Sequence, residues 1–420
     1  MNVAMISVLA LLLAIAASMF SRINVGLICI ALAWLVGVYF ADMKPESIMA
    51  GFPAALFLTL CGVTWLFALA EANGSVSAIA HRAAGLARGR ARLVPLVLFF
   101  VASLLSAIGP GAVAAVALLI PVAFAIGARA QLPPMLTALM VANGANAGNL
   151  SPISAVGIIA NTRMAGAGIV GHEWRVFAAN LLAHLLVALA AYACLVWRIP
   201  AGTTAVADTA SDDMVLDRKR IATIAIILVW IIAVVAFQAS IGLSAFAAAV
   251  ALIALRVADE SAALRRVPFG VIMMVCGVSV LIALLEKNGG MELFSGLLAR
   301  IATTSSINGV IAFVTGVIST YSSTSGVVLP AFLPTVPGLV TQLGGGDPLA
   351  ISLSINVGAS LVDVSPLSTI GALCVAAMAD PVVSRRLFYQ MLAWGASMAV
   401  VGAVLCQLFA GMLASFHWSG

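Results

Sequence analysis

Residues Asn143 to Asn161 read NGANAGNLSPISAVGIIAN. The stretch lies inside an apolar run, yet it is rich in Gly, Asn, Ser and Pro. In a bilayer core every backbone N–H and C=O needs a partner within the protein, so irregular backbone at that depth is tolerated only where it lines a cavity or is buried in protein. A second copy, Asn356 to Ala372, reads NVGASLVDVSPLSTIGA. Aligned on Ser-Pro-x-Ser, the copies match at Ser151/Ser365, Pro152/Pro366, Ser154/Ser368 and Gly157/Gly371, 214 residues apart. Interrupted apolar segments at corresponding positions of two halves point to a membrane transport site.

Working outward, the same offset recurs. CGVTWLFALAEANG (Cys61 to Gly74) pairs with CGVSVLIALLEKNG (Cys276 to Gly289), 215 residues apart. The chain therefore reads as an internal duplication. Its 420 residues are 63% hydrophobic and 8% charged. A soluble domain averages about 25% charged residues, so this composition implies an all-α polytopic membrane protein. The net charge of +5 is no nucleic-acid signature, because the basic residues fall between apolar runs. The N-terminal run lacks a basic leader and reads as a span rather than a signal peptide.

The predicted organisation is two inverted repeats, residues 1–198 and 220–420, joined by a cytoplasmic linker at 199–219. Each repeat has five transmembrane helices plus one re-entrant hairpin, and one of the five helices is discontinuous. The first hairpin spans 93–128 and turns through Gly109-Pro110-Gly111. The second spans 307–340 and turns through residues 321–326. The discontinuous helices are 133–166 and 349–379. An odd number of crossings per repeat inverts the second copy. With the N-terminus outside, the inside loops hold fifteen of the twenty Lys and Arg residues. The outside loops hold Lys44, Arg163, Arg175, Lys287 and Arg300. That bias predicts both termini outside and the linker in the cytoplasm. Ser75 to Arg92 then reads as an amphipathic helix on the cytoplasmic surface.

Candidate site residues follow from chemistry. Ser151 and Ser154, with Ser365, Ser368 and Thr369, supply hydroxyls at the two breaks. Pro152 and Pro366 suit the first turn of a half-helix, where no N–H partner is needed. Half-helix N-termini favour an anion. The hydroxyl-rich second tip, with Ser323, Thr324 and Ser325, and the backbone of Gly109, Pro110 and Gly111 complete the solute-binding set. For a coupling ion, Na⁺ or H⁺, the oxygen donors are Asn143, Asn146, Asn149, Asn356, Ser360 and Asp363. Asp363 is the one acid deep within a predicted span, and intramembrane acids are costly. The competing reading of the small polar residues is that they let helices pack closely. Glu71 and Glu286 match across the repeat at span ends, where capping or snorkelling is the simpler role. His184, alone in an apolar run, reads as an interhelical hydrogen-bonding residue. The six cysteines read as small buried apolar side chains.

No phosphate-binding loop, zinc motif or nucleophile elbow occurs, so neither an ATP-driven pump nor an enzyme is indicated. AGFPAALFLTLCGVTWLFALAEANG (Ala50 to Gly74) and Ser151 to Asn161 resemble the MatC-type malonate/dicarboxylate carriers. The whole-chain organisation is similar to the ion transporter superfamily that includes the divalent-anion/sodium symporters. That resemblance implies a dicarboxylate held between hairpin tips and broken helices, flanking Na⁺ sites, an elevator motion against a scaffold, and a homodimer. Those symporters carry Ser-Asn-Thr at their hairpin tips, where this chain has Gly-Pro-Gly and Ser-Ser-Thr-Ser. The expected function is secondary active transport of a small organic dianion, malonate or a four-carbon dicarboxylate, in a bacterial inner membrane, with no cofactor beyond a possible Na⁺. A cation/proton antiporter or metalloid-oxyanion exporter on the same scaffold is the alternative, and a membrane-embedded enzyme or signalling subunit the third reading.

Overall fold

A computed structural model describes residues 2–20, 23–75, 78, 91–109, 111–199, 217–237, 239–378 and 380–415. Most of the central linker, most of the Ser75 to Arg92 stretch and Pro110 lie outside the described residues. Helices account for nearly all regular structure, and no strand occurs among the described residues.

The first half runs α1 (Val3–Phe20), α2 (Val25–Tyr39), α3 (Pro45–Met49), α4 (Ala54–Ala72), α5 (Val94–Ile108), α6 (Gly111–Arg129), α7 (Pro134–Gly148), α8 (Ala155–Gly166) and α9 (Glu173–Leu195). The second runs α10 (Arg218–Phe237), α11 (Ile241–Ala254), α12 (Glu260–Leu264), α13 (Phe269–Lys287), α14 (Gly290–Ala299) and α15 (Ile307–Tyr321). After the second tip come α16 (Leu329–Phe332), α17 (Val336–Leu343), α18 (Pro348–Leu361), α19 (Thr369–Ala376) and α20 (Pro381–Ser415). Among the described residues, eight helical stretches are long and apolar enough to cross a membrane. They are Ala54–Ala72, Ala91–Ile108, Gly111–Ala128, Glu173–Leu195, Phe269–Lys287, Thr324–Leu343, Pro348–Ala376 and Pro381–Ser415. The protein is an integral membrane protein of the all-α polytopic class.

Two packing layers position the site. In one, α2 lies along α13 and α11 along α4. Both pairs meet at glycines. A Cβ on Gly26 would overlap the Met273 carbonyl, and one on Gly277 would overlap the Gly26 backbone. A Cβ on Gly242 would come within 2.5 Å of Thr59 Cα, and one on Gly62 within 2.5 Å of the Gly242 carbonyl. Such contacts are how helices gain van der Waals energy in lipid, where hydrophobicity does not drive association. Gly62 and Gly277 are duplication mates, as are Gly26 and Gly242, 215 and 216 residues apart.

In the other layer, α5 and α9 pack on α7, and α15 and α20 pack on α18. Here too glycines admit close backbone: Gly144 and Gly148 of α7 against Phe99 and Ser103, and Gly358 of α18 against Ala312. As a result α7 and α18 are buried along almost their entire length, including Asn143, Asn146 and Asn356 at 0% exposure. At the breaks themselves Ser151, Ser154, Ser365 and Ser368 are buried, whereas Pro152, Ile153 and Asp363 are half-buried and Leu367 and Thr369 are exposed.

The second arm of the second hairpin departs from a plain helix. It begins as a π-helical turn, Thr324–Val328, then passes through α16, a 3₁₀ turn at Leu333–Thr335 and α17. Pro330, Pro334 and Pro337 each remove a backbone donor and crowd the preceding turn, which accounts for the alternation. Cys194 is exposed, unlike the other five cysteines. The reading of all six as buried therefore fails there, because Cys194 falls on the outer face of α9. Arg163, counted with an outside loop from sequence, lies within α8 instead.

Candidate functional site

Each broken span ends its first half with a polar residue. Asn149 closes α7, its N–H bonding Asn146 O. Asp363 occupies a 3₁₀ turn, Val362–Val364, at the end of α18. The second halves begin at the second Ser of each motif. Ser154 caps α8, accepting from Gly157 N at 3.1 Å. Its hydroxyl also donates to Asn149 O and to Ser151 O, the latter at 2.9 Å. Ser368 precedes α19 and donates to Asp363 O at 2.6 Å and Ser365 O at 2.7 Å. A helix end leaves its last carbonyls without partners, and in each span one serine hydroxyl shares its proton between such a carbonyl, of Asn149 or Asp363, and the turn carbonyl of Ser151 or Ser365. The duplicated motif thus makes the same pair of bonds twice.

The half-helices therefore start at Ser154 and Ser368, three residues later than the Ser-Pro reading placed them. Pro152 and Pro366 belong to the connecting turn, which Ser154 N→Ser151 O and Ser368 N→Ser365 O close at 3.0 Å each. Ser154 takes a first-turn N–H, which defines a helix start more strongly than a proline upstream of it, and Ser368 stands at the matching N-cap position without such a bond. Gly157 and Gly371 are required by this geometry. A Cβ at either would overlap the carbonyl of Ser151 or Ser365.

The first hairpin tip docks on the first break. Ala112 N donates to Asn149 Oδ1 at 2.9 Å, and Ala155 N to Gly109 O at 3.3 Å. Gly109 and Gly111 have φ of 157° and 80°, and Gly111 needs the left-handed conformation that glycine supplies without steric cost. A Cβ on Gly109 would also overlap the Phe67 ring of α4.

At the second tip Ser322 and Ser323 form the turn proper, since Thr324 and Ser325 already lie in the π-helical turn. Ser323 Oγ accepts from Gly326 N at 3.0 Å. Thr324 Oγ1 meets Ser319 Oγ at 2.5 Å and lies 3.5 Å from Ala359 O. The hydroxyls of Ser323 and Thr324 therefore have protein partners here. A Cβ on Gly326 would overlap Met274 Sδ of α13, so both tips press against the glycine-packed layer.

The ion-donor candidates line α7 and α18. Ser360 Oγ donates to Asn356 O at 2.7 Å. Asn356 Nδ2 bonds Ser352 O at 2.9 Å, leaving Oδ1 buried without a partner. Both amide atoms of Asn146 are likewise buried and without partners. Asp363 is half-buried and makes no ion pair among the described residues.

Two further polar residues join from α9, one missed from sequence. Asn180 Nδ2 donates to Asn146 O at 2.7 Å, supporting the carbonyl end of α7, while its Oδ1 is buried without a partner. His184 Nδ1 meets Asn143 Oδ1 at 3.1 Å, the interhelical role foreseen for it. The four-residue spacing of Asn180 and His184 puts both on one helix face, which was the signal available for Asn180. Glu71 pairs with Arg266 at 2.9 Å, a span-end role as expected.

The comparisons with known proteins now bear on this arrangement. Residues 1–149 match the family model of the dicarboxylate carrier protein MatC N-terminus. The resemblance first read from Ala50 to Gly74 is borne out over that segment. Among solved structures, the Alcanivorax borkumensis YdaH transporter, reported to have an unusual topology, superposes with a TM-score of 0.59 at 15% identity, covering 90% of this chain and 89% of its own. Neisseria gonorrhoeae MtrF, described with a class of antimetabolite efflux pumps, has a TM-score of 0.59 at 14% identity, covering 97% of this chain and 95% of its own. At such identities the likeness concerns the fold. No curated protein matches the sequence. The matched family and both structural neighbours are membrane transporters, not enzymes.

Proposed function

We propose that the protein is a secondary active transporter of small organic dianions, malonate or a four-carbon dicarboxylate, coupled to Na⁺ or H⁺. The observation that carries the reading is the repeated break, in which Ser154 and Ser368 make equivalent bonds to the carbonyls on either side. Each break starts a new half-helix, capped at Ser154 or preceded by Ser368, and such termini attract anionic oxygens. The MatC match over residues 1–149 supports a dicarboxylate as the solute class.

The donor set fits a hard monovalent cation. Asn146, Asn180 and Asn356 each carry a buried amide oxygen without a partner, and Asp363 adds a carboxylate. Oxygen-only donors of this kind suit Na⁺ rather than a soft metal. Bound there, the cation would supply positive charge beside the dianion. Asn149, the counterpart of Asp363, is neutral, so the two breaks differ in charge.

The duplication supports an inverted-repeat organisation with two re-entrant hairpins. The arms Ala91–Ile108 and Gly111–Ala128 are each long and apolar enough to cross a membrane. Counting them as a full pair of crossings leaves the parity of the repeat, and so its inversion, unchanged. The glycine-packed pairs α2–α13 and α4–α11 suit a fixed scaffold, and the enclosed layer of hairpins and broken spans suits the moving part of an elevator. A homodimer and an inner-membrane setting with both termini outside complete the proposal.

Proteoliposomes loaded with buffer and given radiolabelled malonate or succinate test it. Uptake that rises several-fold with an imposed Na⁺ or H⁺ gradient is expected. Accumulation of neither acid under either gradient overturns the solute assignment. The MtrF neighbour is described among efflux pumps, so the same vesicles preloaded with solute read the direction of net transport.

A further inference from the structure

Arg163 is a half-buried arginine of α8. It follows the capping Ser154 by nine residues, about 13 Å along α8, near the end of that half-helix. Long basic side chains near a span end ordinarily extend to the membrane surface. Arg163 instead donates through Nη2 to Ser279 Oγ. Ser279 is the eleventh of the nineteen residues of α13, so the guanidinium reaches the middle of that helix. The neighbouring Met164 touches Asn356 Nδ2 at 3.7 Å. The same level of α8 therefore borders the first half of the other broken span.

The guanidinium is poorly matched by what surrounds it. A guanidinium carries five N–H donors in a planar fork that fits a carboxylate with two parallel bonds. Here one donor meets a neutral hydroxyl, which already bonds Val275 O at 2.6 Å. Nε is enclosed and has no partner. No ion pair among the described residues includes Arg163. Glu286, the acid whose charge reaches it, is exposed and two turns further along α13. Enclosing part of a guanidinium without a hydrogen-bonded anion is unfavourable. Its persistence therefore needs a reason outside the protein's own contacts. The duplication supplies no second cation, since the matching position is Ala377.

We propose that Arg163 is a carboxylate-binding residue beside the two broken spans, whose guanidinium takes one carboxylate of the dianion. The inference rests on the dianion reading above and deepens it. One fixed positive charge on one side of the solute makes recognition asymmetric. The second carboxylate is left to the half-helix termini and the coupling cation.

Binding of malonate and of its half-amide is measured by calorimetry on the purified full chain in lipid nanodiscs, for wild type, Arg163→Lys, Arg163→Gln and Ser279→Ala. Malonate affinity is expected to fall about tenfold in Arg163→Gln. The half-amide, which carries one carboxylate, is expected to lose much less, so the preference for the diacid collapses. Arg163→Lys keeps the charge without the fork and falls between. Ser279→Ala, which frees the guanidinium, retains the preference. Equal weakening of both ligands, or a wild-type preference in a folded Arg163→Gln or Arg163→Lys protein, overturns the assignment. If Arg163→Gln does not fold, Arg163→Lys decides. Wild-type protein that binds neither ligand refutes the dianion reading itself, whereas wild-type binding with an undisturbed preference in the variants refutes only the role of Arg163.

Discussion

At the scale of single residues, the breaks depend on two serines and two glycines. Ser154 and Ser368 each bond the helix-end carbonyl, of Asn149 or Asp363, and a second carbonyl in the connecting turn that also accepts the serine's own N–H. Replacing either with alanine is expected to lower stability by about 1–2 kcal/mol, the range for an unsatisfied buried acceptor, to which Ser154 adds a lost cap. Solute affinity should fall with it, read as a loss of the ligand-induced rise in Tm. Gly157→Ala and Gly371→Ala should each cost about 1–3 kcal/mol, because the added methyl meets a carbonyl that cannot move without undoing the turn. At Gly166 an added Cβ would meet nothing within 4 Å. Gly166→Ala near the end of α8 should therefore be neutral or stabilising, by up to about 1 kcal/mol. Thermal unfolding of the purified variants, side by side, separates the two classes.

At the scale of elements, the glycine contacts between α2 and α13 and between α4 and α11 are as decisive as the breaks. Gly277→Val and Gly62→Val should abolish monodisperse protein on size-exclusion chromatography, since backbone lies where the side chain would go. Gly411→Val on α20, with nothing within 4 Å, should leave the profile unchanged. Much of this level was legible in the sequence. The paired CGV segments placed Gly62 and Gly277 in matching helices, and the Ser-Pro-x-Ser copies placed both breaks. The helix starts were misplaced by three residues because proline is a common first helical residue, and sequence does not say which serine captures the first-turn N–H. The π-helical turn at Thr324–Val328 escaped notice because a cluster of prolines announces irregularity without specifying its kind. Arg163 was read as a loop residue because an arginine near a span end ordinarily belongs to the interface, and only its contact with Ser279 shows otherwise. Asn180 was lost among the apolar residues of α9, although its spacing from His184 marks one face.

For the whole molecule, both layers are held by close backbone contacts at glycines. The second layer carries both breaks, both hairpin tips and the buried amides. It touches the first layer at Gly109–Phe67, Gly326–Met274 and Arg163–Ser279. The proposed orientation makes its own prediction. Single cysteines introduced near the two ends, Asn2→Cys and Ser415→Cys in a Cys194→Ser background, should both react with an impermeant maleimide added outside intact cells. A cysteine in the central linker, Asp212→Cys, should react only after permeabilisation. Labelling of the two ends from opposite sides would contradict the inverted arrangement.

The central claim is that the two matched breaks form one site for a dianion. It is tested most directly by malonate uptake into Na⁺- or H⁺-energised proteoliposomes, comparing wild type with Ser154→Ala and Ser368→Ala at matched protein incorporation. Both variants are expected to need several-fold more malonate for half-maximal uptake. Wild-type uptake with both variants indistinguishable from it would show that the breaks do not hold the solute.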